Sequence, residues 1–98
     1  MKVLWTDSAL AQLQAIHDYL AQTSPEYALR IIDRLTKRSI QIARFPFSGR
    51  MVPEFELNEV REVIEEPYRI VYLINSEAGK TEVLAVIYSS RERRKPLE

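Results

Sequence analysis

The run Tyr68-Arg69-Ile70-Val71-Tyr72-Leu73-Ile74-Asn75 decides the fold. It holds β-branched and aromatic side chains without Gly or Pro, so it reads as a strand. Successive side chains of a strand point to opposite faces. Ile70, Tyr72 and Ile74 therefore point one way, and Arg69, Val71 and Leu73 the other. Both faces carry apolar groups, which means that both want cover.

Working outward, the Glu66-Pro67 turn separates this run from a strand over 60–64, and the turn 76–80 leads into another over 81–88. Connections of hairpin length make the three antiparallel neighbours. In the last strand alternation sets Val83, Ala85 and Ile87 against Leu84, Val86 and Tyr88. Residues 46–58 contain Pro46, Gly49 and Pro53 and no sustained period, so they read as a surface loop.

The amino-terminal half is helical. After a short strand over 2–6, with Thr6 and Asp7 as possible caps, Ala9, Leu10, Leu13, Ile16 and Leu20 recur at helical spacing to about Gln22. Ser24-Pro25 starts a second helix, because Ser accepts from a free amide and Pro has none to lose. Its apolar stripe is Ala28, Ile31, Ile32, Leu35 and Ile42, and Phe45 closes it before Pro46. Only Thr23 and Ser24 separate the helices, which makes them an antiparallel hairpin. The expected fold is α+β: an N-terminal strand, a helical hairpin, then a three-stranded antiparallel meander in one small sheet. A hairpin covers one sheet face. The other must meet a partner or form a partly apolar cleft.

Ninety-eight residues, 46% hydrophobic and 29% charged, suit one domain over 1–98, with residues 91–98 as a basic C-terminal tail. The lack of Cys excludes disulfides and thiolate chemistry, and a single histidine, His17, argues against a metal centre or a Ser/His/Asp triad. No glycine-rich phosphate loop is present, so no cofactor is expected. No apolar run is long enough to span a bilayer and residues 1–5 are too short for a signal peptide, which points to the cytoplasm. Net charge is zero, but residues 1–53 hold seven bases and four acids, 54–90 three and eight, and 91–98 four and two. Contact with nucleic acid would have to be local.

Arg30, Arg34 and Arg38, with Lys37, form a basic stripe on the second helix, partly neutralised by Glu26 and Asp33 at i, i+4 spacing. Arg69 is more informative. A guanidinium inside a strand must be paired, solvated in a cleft or used. Arg61 and Glu62 point to opposite faces, so only one of them shares a face with Arg69, and Arg50 could approach from the loop. Tyr88 and Arg91 could stand at the rim of the same cleft.

Trp5, Ala9, Leu13, Ile16 and Tyr19, the Ser24-Pro25 helix start, Phe45-Pro46 with Gly49-Arg50, Arg61-Glu62, the Tyr68–Tyr72 run, and Tyr88 with Arg91 together resemble the RelE/ParE family of bacterial type II toxins. The resemblance implies a toxin neutralised by a cognate antitoxin, whose C-terminal segment covers its exposed surface in a hetero-oligomer. It leaves two activities, beside the alternative of a family member that binds an antitoxin and has little toxicity left. A RelE-like member would cleave mRNA on the ribosome, with Arg69, Arg91, Arg50, Tyr88 and Glu62 as catalytic candidates. A ParE-like member would bind and poison DNA gyrase. The loop before the meander carries Glu54, Glu56 and Glu59 and no lysine, where an RNase would gather positive charge, so the expectation is ParE-like. The expected partner-binding residues are Arg61, Arg69, Val71, Leu73, Leu84 and Val86.

Overall fold

A computed structural model describes residues 1–89. Strand β1 (Lys2–Trp5) leads into helices α1 (Asp7–Ala21) and α2 (Pro25–Arg44). A 3-10 turn (Pro46–Ser48) and a two-residue strand β2 (Arg50–Met51) precede the meander β3 (Val60–Glu65), β4 (Tyr68–Asn75) and β5 (Lys80–Tyr88). The sheet order is β1-β5-β4-β3-β2. β1 runs parallel to β5, and every other pairing is antiparallel. The α+β expectation stands with one strand more than the sequence pattern showed.

The helix starts are those the caps indicated. Thr6 Oγ1 accepts from the Ala9 amide at 3.2 Å and donates to the Val83 carbonyl at 2.9 Å, which ties α1 to β5. Ser24 Oγ accepts from the Tyr27 amide at 3.1 Å. On α1 the contact with the sheet is narrower than the apolar arc: Ala9 is fully buried and Leu13, Ile16 and Leu20 pack beside it, but Leu10 is exposed. The helices press Ile31, Leu35 and Ile42 onto Val63, Ile70, Tyr72, Ile74, Val83 and Val86. This is the main core.

Two features depart from the sequence expectation. In β5 the register slips between Val71 and Tyr72 of β4: Tyr72 faces Val83, Val71 faces Ala85, and Leu84 is left without a partner. An extra residue in one strand reverses the alternation beyond it. Val83 and Val86 thus both lie in the helix-side core, while Ala85 and Ile87 join Val71 and Leu73 on the other face. Alternation alone had put Val83 with Ala85 and Ile87. Val86, expected on a partner face, is buried under the helices.

The second departure is the segment 46–58. It is no plain surface loop, because β2 adds an edge strand and the chain then turns onto the sheet face opposite the helices. The buried Tyr72 hydroxyl donates to the Pro46 carbonyl at 2.6 Å and accepts from the Gly49 amide at 3.2 Å. Arg61 donates to the carbonyls of Asn58, Phe47 and Gly49 and to the Asn58 side chain, and stacks over Phe47 at 5.0 Å. Val52, nearly fully buried, closes over Val60 and Val71. Part of the face expected to need a partner is thus covered by the chain itself, at Val52 over Val60 and Val71.

Candidate functional site: an arginine pair around a buried carboxylate

Three neighbouring strands converge on one carboxylate. Glu62 of β3 faces Arg50 of β2 across the ladder, and Arg69 of β4 lies on the same sheet face. The Glu62 side chain is 0% exposed. Its Oε1 accepts from Arg69 Nη1 at 2.6 Å and its Oε2 from Arg50 Nε. Glu54, from the loop, stands 3.6 Å from Arg69 Nη2. Arg69 is 18% exposed and Arg50 56%. A carboxylate so far from water is tolerable only because both oxygens are matched by guanidinium donors. Two positive and two negative charges sum to zero, so the cleft has no excess of positive charge to offer a phosphate.

Of the catalytic candidates, Arg50, Glu62 and Arg69 meet. Tyr88 does not join them. It pairs with Tyr68 across the ladder, their rings edge-to-face at 5.7 Å between centroids, and Tyr68 belongs to the helix-side core. Arg69 faces Ile87 and lies on the other side of the sheet. Arg91 lies outside the described residues. Among the partner candidates, Arg61 spends its donors on the chain's own loop, and Val71 and Val86 are buried. Leu73, Leu84, Arg69 and Arg61 stay partly exposed, but the Arg61 guanidinium is already engaged by the loop.

The structure also adds groups that the pattern did not single out. Glu65, at the end of β3, takes two of the basic side chains of the neighbouring helix: Arg34 at 2.7 Å and Arg38 at 2.8 Å. Of the expected i, i+4 pairs, Asp33–Lys37 forms at 3.0 Å, while Arg30 lies over the Tyr27 ring at 5.6 Å. An intrahelical spacing rule has no access to a strand residue some thirty positions away. Partial burial would raise the Glu65 carboxyl, but hydrogen bonds and charge from Arg34 and Arg38 outweigh it and hold the pKa below the ordinary 4.5. A depressed folded-state pKa contributes stability above the unfolded value and loses it as pH falls through the folded one. The parent's resistance to urea should therefore weaken on acidification below about pH 4.5, and Glu65→Gln should flatten part of that slope.

A second unforeseen feature is an aromatic groove of about 620 Å³ between the helix hairpin and the β3–β4 turn, lined by Tyr19, Tyr27, Tyr68 and Tyr88 with Ile16 and Pro67. Burial pushes the Tyr68 phenol above its usual value, with Tyr27, Tyr88 and Tyr19 adding to the effect, so it stays neutral. Among the described residues no three His, Cys, Asp or Glu side chains gather as a metal site.

The sequence model described as "ParE toxin of type II toxin-antitoxin system, parDE" matches residues 3–93. The chain belongs to this family. It is 34% identical over 90 residues to Toxin RelE2 of Caulobacter vibrioides, covering 92% of this chain and 97% of that protein. Among solved structures it is similar to the chromosomal ParDE toxin–antitoxin system from P. aeruginosa, with a TM-score of 0.75 at 24% identity over 92% of this chain and 97% of that one. It is also similar to the RelBE2 toxin–antitoxin complex from Mycobacterium tuberculosis, with a TM-score of 0.65 at 21% identity over 89% and 95%. These likenesses extend the fold of this RelE/ParE toxin across nearly its whole length. Names from both branches occur among the relatives, so the branch has to be argued from the side chains.

Proposed function

We propose that this RelE/ParE toxin is ParE-like: it acts by binding a protein, DNA gyrase, in the cytoplasm, and a cognate antitoxin neutralises it. The observation that carries this reading is the closed ion cluster around Glu62. Cleaving RNA through the ribose 2′-OH needs donors free to meet charge developing on the phosphate, and a proton-transfer group within reach. Here Arg50, though more than half exposed, gives its Nε and Arg69 its Nη1 to a buried carboxylate, and the Tyr88 phenol lies on the other side of the sheet. An inhibitor that works by contact needs neither.

An antitoxin is supported by the apolar surface left over once the chain has covered what it can. Leu73, Ala85 and Ile87 remain partly exposed on the face opposite the helices, and the tyrosine groove opens beside the helix hairpin. The proposed antitoxin surface is thus narrower than alternation suggested, because Val71 and Val86 are already buried.

The test uses purified protein with DNA gyrase and plasmid, and in parallel with a reconstituted translation system. We expect supercoiling to fall and cleaved gyrase–DNA complexes to accumulate, while ribosome-bound mRNA stays whole. Arg69→Lys should then leave mRNA equally uncut. Cuts within codons of ribosome-bound mRNA, lost in Arg69→Lys, would instead establish a RelE-like endonuclease and overturn the proposal.

A further inference from the structure

One strongly charged surface lies outside the Glu62 cluster and the tyrosine groove. Along the outer side of α2 a shallow groove of about 460 Å³ is lined by Arg34, Lys37, Arg38 and Arg44, by Ile40 and by Phe45. Among the described residues its single lining carboxylate is Glu65, against four cations, in a chain whose net charge is zero. Ile40 is 59% exposed and Phe45 62%, large apolar side chains standing among the charges.

The hydrogen bonds separate two kinds of ligand. Arg38 spends Nε on Glu65, Nη1 on Gln41 and Nη2 on the Ile64 carbonyl, and Arg34 gives Nε and Nη2 to Glu65. Their charge persists, but the fork that would clamp a phosphate two-handed is committed. Lys37 and Arg44 keep freer heads, because Lys37 meets only the exposed Asp33 and Arg44 has no ion-pair partner among the described residues. They lie two helical turns apart, about 10.5 Å, with Ile40 between them at three- and four-residue spacing. The row Lys37, Ile40, Arg44 is thus a seam of charge, apolar group and charge along one side of a helix.

We infer that this groove docks an acidic amphipathic helical segment of a protein partner, which sets carboxylates against Lys37 and Arg44 and an apolar side chain on Ile40 and Phe45. Like charge along α2 excludes a second basic helix, and the apolar centre would be wasted on a phosphate backbone. The site is separate from the Glu62 cluster, so it stands or falls independently of the gyrase reading.

The probe is a synthetic helical peptide presenting Glu, Leu and Glu at successive three- and four-residue spacings, with a Gln-for-Glu control. Binding to the full chain is followed by fluorescence anisotropy at low and high salt, with a single-stranded RNA oligonucleotide as competitor. The acidic peptide should bind, weaken with salt, and outbind the control. The double variant Lys37→Glu with Arg44→Glu should lose about tenfold in affinity, and Ile40→Ser several-fold. These positions are exposed, so thermal unfolding should be close to the parent's and report that the variants fold. No measurable binding, equal binding by parent and variants, or RNA bound in preference with the same variant sensitivity would each overturn the proposal. So would self-association of the chain that the same variants abolish.

Discussion

Replacing Glu62 by Ala should destabilise the sheet strongly. The substitution leaves Arg69, 18% exposed, with only the exposed Glu54 nearby, while Arg50, 56% exposed, can return to water. Breaking a buried ion pair from one side costs about 3–5 kcal/mol, and because Arg50 is rehydrated, about 3 kcal/mol is expected here. For a domain of this size that lowers Tm by about 12–24 °C. Pairing Glu62→Leu with Arg69→Met should recover much of the loss, since apolar residues of similar volume commonly replace buried ion pairs without penalty. Urea unfolding of the two single variants and the double variant gives the coupling directly. A Glu62→Ala chain as stable as the parent would mean that the cluster contributes nothing to the fold.

Gly49→Ala should come next, for a steric reason and not a conformational one. Gly49 is extended, at φ −70° and ψ 156°, a backbone any residue adopts. A Cβ there would come within 2.4 Å of the Tyr72 hydroxyl oxygen and 2.7 Å of the Glu62 carbonyl oxygen. Neither neighbour yields easily: Tyr72 is fully buried and the carbonyl belongs to β3. Overpacking costs about 1–3 kcal/mol, and with backbone on one side the upper end is expected. The segment 46–58 should lift from the sheet and expose Val52 and Val60, so limited trypsin digestion should cut after Arg50 faster than in the parent. Tyr72→Phe alone leaves the buried Gly49 amide without its acceptor, a loss of about 1–3 kcal/mol. Combined with Gly49→Ala it removes one of the two clashes, so the double variant should lose less than the sum of the singles. Simple additivity would mean that the Gly49–Tyr72 contact does not hold the segment.

The element order was legible before any coordinates because each element carries its own local signature. Ser24-Pro25 marked a helix start, 68–75 alternated as a strand does, and the short Thr23-Ser24 link made the helices neighbours. The site was half legible. Arg69 in mid-strand had to be paired or used, and parity allowed it only one of Arg61 and Glu62. Structure shows that Glu62 is the partner and that it takes Arg50 as well. Less accessible was β2, which is two residues long and leaves no period to read. The bulge at Leu84 was invisible for a related reason: alternation in one strand says nothing of how many residues the neighbouring strand sets against it.

Local chemistry by itself determined this protein's helices, its meander and the need to neutralise a guanidinium inside a sheet, since caps, periodicity and desolvation act over a few residues. Only the tertiary structure decided that segment 46–58 folds back over the second sheet face, that Glu65 gathers Arg34 and Arg38, and that Tyr88 and Arg69 part to opposite sides. Those outcomes depend on register and on contacts between residues far apart in the chain, where one unpaired residue moves every later side chain to the other face.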